Sequence, residues 1–338
     1  RYLWFQCASP PSMAVSLAVA DLEAGTVTHC PETAGTHSFL IDPDTGGVFF
    51  PMRMGVWYRG PKPDDEAVHV NTLPDDLTRG RSGRVASHLT LTADGRGFFV
   101  DCRLGEACYI GVLPKDGSPF EHWQTLHGAY NHGQCNPTDP SLVLMAKETG
   151  IAGFDERLAH ENRLWLARED GTFGPVFPVP KRVPEREWRG HDDRMSHEWW
   201  SSDGKWVCYV GSPGVEYRSA TYRTNVATGE TETLWKEWHW HASDWNNGQY
   251  LVGDRRDRGN FYRGIASSVH FCNNDTGNEV AIVSHTPENT EPGRHYHIDP
   301  HPSFSPDGSL VVFTTTVFGN VDVAVARTEE LIERTSET

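Results

Sequence analysis

The chain has 338 residues and carries 30 Lys and Arg against 46 Asp and Glu, a formal net charge of −16 at pH 7. With no block of Lys or Arg, that balance excludes a nucleic-acid partner and a membrane surface recognised by charge. No stretch approaches the roughly 18 apolar residues of a membrane span, and 37% hydrophobic with 22% charged residues describes a globular chain.

Residues 1–35 open on Arg1-Tyr2-Leu3-Trp4-Phe5, which lacks the basic and apolar regions of a signal peptide. Location is left between the cytoplasm and a secreted or periplasmic site. From there a turn recurs. Residues 37–82 hold it as Asp42-Pro43-Asp44-Thr45-Gly46, 87–125 as Thr92-Ala93-Asp94-Gly95, and 131–177 as Asn136-Pro137-Thr138-Asp139. Residues 197–235 hold Ser201-Ser202-Asp203-Gly204, 241–285 hold Asn246-Asn247-Gly248, and 301–327 hold Ser305-Pro306-Asp307-Gly308. Each turn separates two β-rich runs, the short-range signal of a hairpin. A second turn sits between the first ones, as in Asp116-Gly117, Asp170-Gly171, Thr228-Gly229 and Thr276-Gly277, so a unit carries two hairpins. Only Glu329–Glu333 reads as helix.

Four strands per unit is the pattern of a propeller blade, and residues 1–35 supply strands of one more. The chain therefore reads as all-β, a seven-bladed β-propeller forming one domain over 1–338. Two stacked β-sandwiches would need a Ser/Pro-rich linker, which the sequence lacks.

Aligned on the turn, the units share a column of histidines. His88, His197 and His301 stand six residues before the turn Asp, His241 six before Asn247, and His37 and His132 seven before Asp44 and Asp139. First strands line a propeller's channel, so these positions predict a ring of imidazoles at one mouth. The bland reading, a strand-opening His bonded to neighbouring backbone, applies best to His37 and His88. Converging imidazoles favour a divalent transition metal, with Mn, Fe, Ni or Zn preferred over Ca. Trp238-His239-Trp240-His241 reads as a strand with both histidines on one face. Arg294-His295-Tyr296-His297-Ile298-Asp299-Pro300-His301 crowds candidate ligands into one loop. The seven cysteines show no C-x-x-C pair and read as core thiols; Cys102 with Cys108 and Cys7 with Cys30 are the pairs near enough in sequence to bridge.

The runs His132-Gly133-Gln134-Cys135-Asn136-Pro137, His197-Glu198-Trp199-Trp200-Ser201 and His301-Pro302-Ser303-Phe304-Ser305-Pro306-Asp307-Gly308 resemble the oligogalacturonate lyases, propellers akin to TolB-type and ulvan-lyase propellers. That resemblance implies β-elimination on an acidic, uronate-containing oligosaccharide or polysaccharide, with manganese held by three histidines and a glutamine. It places ligands at His241 and His301 and the base at His197. Where the family has Gln and His before the last ligand, this chain has Tyr296 and Asp299, with His297 between them, so either His297 or Asp299 completes the shell.

Elimination needs a cation on the substrate carboxylate, a base near neutral pKa and an acid for the leaving oxygen. Arg163, Arg194 and Arg255 are candidate carboxylate clamps, since Arg offers a bidentate fork. His132 is a second acid–base candidate, and His88 and Tyr296 are candidate substrate contacts. The competing reading is a non-catalytic, TolB-like module that binds peptide or glycan, for which an imidazole ring has no use. A lactonase-type site would want oxygen ligands around calcium, and the column is nitrogen.

Overall fold

A computed structural model describes residues 1–9, 14–36, 38–81, 83–148, 163–177, 195–211, 220–256, 266–287 and 299–337. The chain divides into two compact units, Arg1–Pro175 and Val176–Thr338.

The first unit contains four antiparallel sheets, each with its strands in chain order. They are β1–β3 (Tyr2–Ser9, Ala14–Asp21, Thr26–Cys30), β4–β7 (Leu40–Ile41, Val48–Met52, Gly55–Arg59, Val68–Thr72), β8–β11 (Thr90–Leu91, Gly97–Leu104, Ala107–Pro114, Glu121–His127) and β12–β15 (Ala129–Cys135, Leu142–Glu148, Leu164–Arg168, Phe173–Pro175). The second unit contains β16–β19 (Ser196–Trp200, Trp206–Gly211, Ala220–Asn225, Thr231–Trp235), β20–β23 (Ala242–Trp245, Tyr250–Arg256, Ser267–Asn273, Asn278–Thr286) and β24–β26 (Ser303–Phe304, Leu310–Thr315, Asp322–Arg327). A helix, Thr328–Ser336, follows, longer than the stretch read from sequence. Seven meander sheets make the chain a seven-bladed β-propeller.

In the first six blades the second strand carries an apolar run of residues buried on both sides, whereas burial alternates along Leu310–Thr315 in the last. Val48 and Phe50 pack with Trp4, Leu17 and Val19 of the preceding sheet, while Phe49 between them packs with Phe98 and Val100 of the next. Phe99 turns the other way, to Tyr130, Val143 and Met145. In the second unit Leu251 joins Cys208 and Trp235, and Val252 joins Phe271, Val311 and Phe313. The period of two thus sends alternate residues to alternate neighbours.

All seven cysteines are free. Neither candidate bridge forms, and the same alternation is the reason. Cys102 belongs to the cluster on one face of its sheet and Cys108 to the cluster on the other. Cys30 pairs with Leu17 and Cys7 with Ser16, neighbours on β2 that point to opposite faces.

The recurring turn has one hydrogen-bond scheme. Ser305 Oγ donates to Asp307 Oδ1 (2.6 Å) and receives the Leu310 N–H (3.0 Å), while Gly308 N–H returns to Ser305 O (2.8 Å). Ser201, Asp203 and Trp206 repeat it at 2.7 and 3.0 Å, and Thr92 with Asp94 at 2.7 Å. Gly308 has φ +69°, and a Cβ there would also run into the Trp245 ring.

Candidate metal centre

Three of the column histidines sit in backbone that L-residues seldom adopt. His132 has φ 55°, His197 φ 51° and His301 φ 43°. In β12, Asn131 faces Ala146 and Gln134 faces Leu144, so His132-Gly133 oppose Met145 alone. In β16, Ser196 faces Val210 and Trp199 faces Cys208, so His197-Glu198 oppose Tyr209. Ahead of β24, Pro300 O receives the Thr314 N–H and Ser303 faces Val312, which leaves His301-Pro302 against Phe313. Each is a bulge, two residues against one, and a bulge re-aims its side chain. The left-handed conformation costs roughly 1–2 kcal/mol per residue for a side chain with a Cβ, so something must hold each one.

For His301 the holder is Asp254, buried on β21. Its Oδ1 accepts the His241 backbone N–H (2.8 Å), and its Oδ2 accepts both His241 Nδ1–H (2.8 Å) and the His301 backbone N–H (3.0 Å). Burial opposes ionisation of this carboxyl, but the interactions with His241 and His301 outweigh it and hold its pKa below the usual carboxylate value. With Nδ1 protonated and bonded, His241 presents a bare Nε2.

His197, His241 and His301 each bring a donor atom within 4.8 Å of the others. Ring centroids lie 4.2 Å apart for His197–His241, 4.0 Å for His241–His301 and 6.3 Å for His197–His301. His241 is buried, His197 half-buried and His301 exposed, so the cluster opens to solvent on one side. Asp299, also buried, places Oδ2 3.9 Å from His241 Nε2. Two ligands of one ion at 2.0–2.2 Å lie roughly 3–4 Å apart, so this spacing suits ligands of a shared cation. The donor set, imidazole nitrogens with one carboxylate, fits a divalent transition metal.

The first unit holds a second group. His132 and His88 rings meet edge-on at 4.6 Å. Arg163 bonds Glu148 Oε1 at 2.5 Å and reaches His132 Nδ1 at 3.4 Å. Asp101 plays the part of Asp254 there: it accepts the Ser87 N–H (2.6 Å), the Ser87 hydroxyl and the Gly133 N–H (3.2 Å), and Ser87 Oγ accepts the His132 N–H (2.6 Å). By this pattern Ser87, and not His88, is the counterpart of His241. Gly133 is required beside it, because a Cβ would press on the Phe99 ring at 2.5 Å.

Other sequence candidates fall elsewhere. Trp238–His241 is not a strand; His239 is buried but stacks on Trp235 at 3.6 Å and accepts from Arg255 Nε at 3.2 Å. Burial, then the nearby Arg255, pushes the His239 pKa down to about 3. Arg255 is committed to Glu279 (2.6 Å). His37, Arg194, Tyr296 and His297 lie outside the described residues. Asp101 and Asp254 were not singled out in the sequence, although a signal existed: each follows its turn residue, Asp94 or Asn247, by seven positions, as a lone acid at the end of an apolar run.

No known family profile matches the chain. Over 92% of its length it is 21% identical to an oligogalacturonate lyase of Dickeya dadantii, spanning 83% of that protein. A solved oligogalacturonate lyase in complex with manganese superposes at TM-score 0.74 with 19% identity, covering 99% of this chain and 87% of the other. A second, from Vibrio parahaemolyticus, superposes at 0.70 with 15% identity over 96% and 97%. By sequence and by fold, the chain resembles oligogalacturonate lyases. The resemblance to those lyases carried by the histidine-led runs thus extends over nearly the whole chain.

Proposed function

We propose that the chain is a lyase that cleaves uronate-containing oligosaccharides by β-elimination, with a divalent metal, manganese by analogy with the similar lyases, held by His241, Asp299 and His301. The observation that carries the reading is the convergence of His197, His241 and His301 donors within 4.8 Å, with His241 fixed by Asp254 to offer Nε2. A bound divalent cation would neutralise the substrate carboxylate and stabilise the charge that develops when the α-proton leaves. His197 is assigned as the base that takes the C5 proton. It is half-buried at the edge of the cluster, 6.3 Å from His301 by ring centroids, and its bulge turns it beside the ligands. Asp254 keeps the His241 ring and the His301 backbone from moving while the proton transfers. Tyr296, His297 and Arg194 remain candidates for the metal shell and the substrate carboxylate, and His132 for the acid at the leaving oxygen.

Elimination creates a double bond conjugated to the carboxylate, which absorbs in the ultraviolet. A panel of galacturonate, glucuronate and iduronate oligomers with added manganese should give a rise in absorbance on at least one member. His197→Ala is expected to lower turnover about 10²–10⁴-fold while still binding manganese, and His301→Ala to lose the metal. No rise on any uronate, with any divalent metal, would transfer the chain to the glycan- or peptide-binding reading. Loss of manganese in His197→Ala would make His197 a ligand and return the base's role to His132.

A further inference from the structure

Two buried aspartates occupy the same place in two blades. Asp101 on β9 and Asp254 on β21 are both almost fully buried, and each bonds its own blade's first segment and the bulged residues that begin the next blade. In the third blade the near partner is Ser87, whose hydroxyl relays the bond to His132. In the sixth blade the near partner is His241, and the same carboxylate reaches the His301 N–H directly. One frame thus serves two ends. With serine it fixes a backbone, and with histidine it also aims a ring.

We propose that Asp254 is the positioning residue of the metal centre, setting the His241 tautomer with Nε2 forward and holding the left-handed backbone of His301 so that both imidazoles meet one ion. This rests on the reading of His241 and His301 as ligands. The chemistry is specific to a carboxylate. An amide at this position presents one oxygen and one NH2. Whichever way it turns, the NH2 meets a backbone N–H, that of His241 or that of His301, so the three-bond set cannot be kept; turned toward Nδ1, it also forces the ring's proton onto Nε2, where the ring cannot coordinate. A shape-preserving Asp254→Asn therefore breaks the set of bonds that holds His241 and His301 without removing the bulk. Metal-bound histidines generally depend on such a partner, and its loss weakens metal affinity about 10–100-fold.

The test uses the full chain stripped with chelator and titrated with manganese, free ion being followed by electron paramagnetic resonance. Asp254→Asn should bind 10–100-fold more weakly than the unaltered chain, and Asp101→Asn, whose bonds go to Ser87 and Gly133 and only through Ser87 to His132, should bind as the unaltered chain does. A second measurement does not depend on Asp254→Asn folding: histidine-labelled nitrogen NMR of the metal-free unaltered chain, with the His241 signals assigned by their loss in a folded His241→Gln, should show a proton on Nδ1 and none on Nε2. A proton on Nε2 overturns the proposal. So does unaltered manganese affinity in a folded Asp254→Asn, which would leave the metal reading standing, or equal weakening by Asp101→Asn, which would mark both aspartates as general supports of the fold. An unaltered chain that binds no manganese removes this proposal and the proposed function together.

Discussion

Single residues in this chain divide into those whose chemistry faces outward and those spent inside the fold, and Arg255 belongs to the second kind. Its guanidinium bonds Glu279 at 2.6 Å and His239 at 3.2 Å and lies 5.6 Å from the Trp235 ring. Glu279 also receives Trp235 Nε1–H (3.1 Å), and His270 Nδ1 lies 2.8 Å from its Oε1. Burial works against ionising Glu279, yet the bonds from His270 and Arg255 hold it at about 2, against a usual 4.5. Because the folded value is the lower one, this contribution to stability is present above about pH 4.5 and fades as pH falls toward 2. Arg255→Met is expected to destabilise the fold by about 1–3 kcal/mol in denaturant titrations near neutral pH while leaving KM unchanged. A raised KM with unchanged stability would make Arg255 a substrate clamp after all. Sequence alone could not sort it, because an arginine next to a buried aspartate looks the same whether its partner is a glutamate across the sheet or a ligand carboxylate. The histidine column was legible because imidazole is uncommon enough to stand out at a fixed offset. Asp254 was not, since its meaning lies in three hydrogen bonds, one of which closes only when the next blade lies beside it.

Among the elements, the recurring turn is the one the sequence describes most completely, and its hydrogen bonds explain the repetition. Hydrogen bonds from Ser305 and Ser309, through side chains and backbone, lower the Asp307 pKa to about 2 from 3.8. Asp307→Asn should therefore lower the melting temperature at neutral pH, and the gap to the unaltered chain should narrow as pH falls from about 4 toward 2, as the Asp307 carboxyl takes up its proton. A gap undiminished at pH 2 would assign the effect to shape and not to charge. First strands were harder to read. His132 and His197 lie inside them, at two-against-one bulges that the offset from the turn records only as seven residues in one blade and six in the other. Trp238–His241 alternates as a strand would, but its backbone is irregular and only its burial alternates.

At the scale of the molecule, seven sheets follow from two facts legible in the chain: hairpin turns at near-regular spacing, and apolar runs in the second strands. What the pattern could not supply is which face each inward residue serves, and the thiols depend on that. Cys102 and Cys108 lie in cores on opposite sides of one sheet, and burial pushes the Cys102 thiol up to about 12 and Cys108 higher still. Cys30 is raised to about 11 by burial as well. A thiol so reluctant to ionise is a poor nucleophile for exchange. Refolding yield and melting temperature should be the same with and without reductant, and Ellman's reagent should titrate the buried thiols only after denaturant is added. A melting temperature that drops on reduction would mean that a bridge had formed. The blade's two-sidedness thus acts as a sorting device, parting each pair of sulfurs near in sequence with a wall of peptide, so that an oxidising or a reducing environment would deliver the same folded protein.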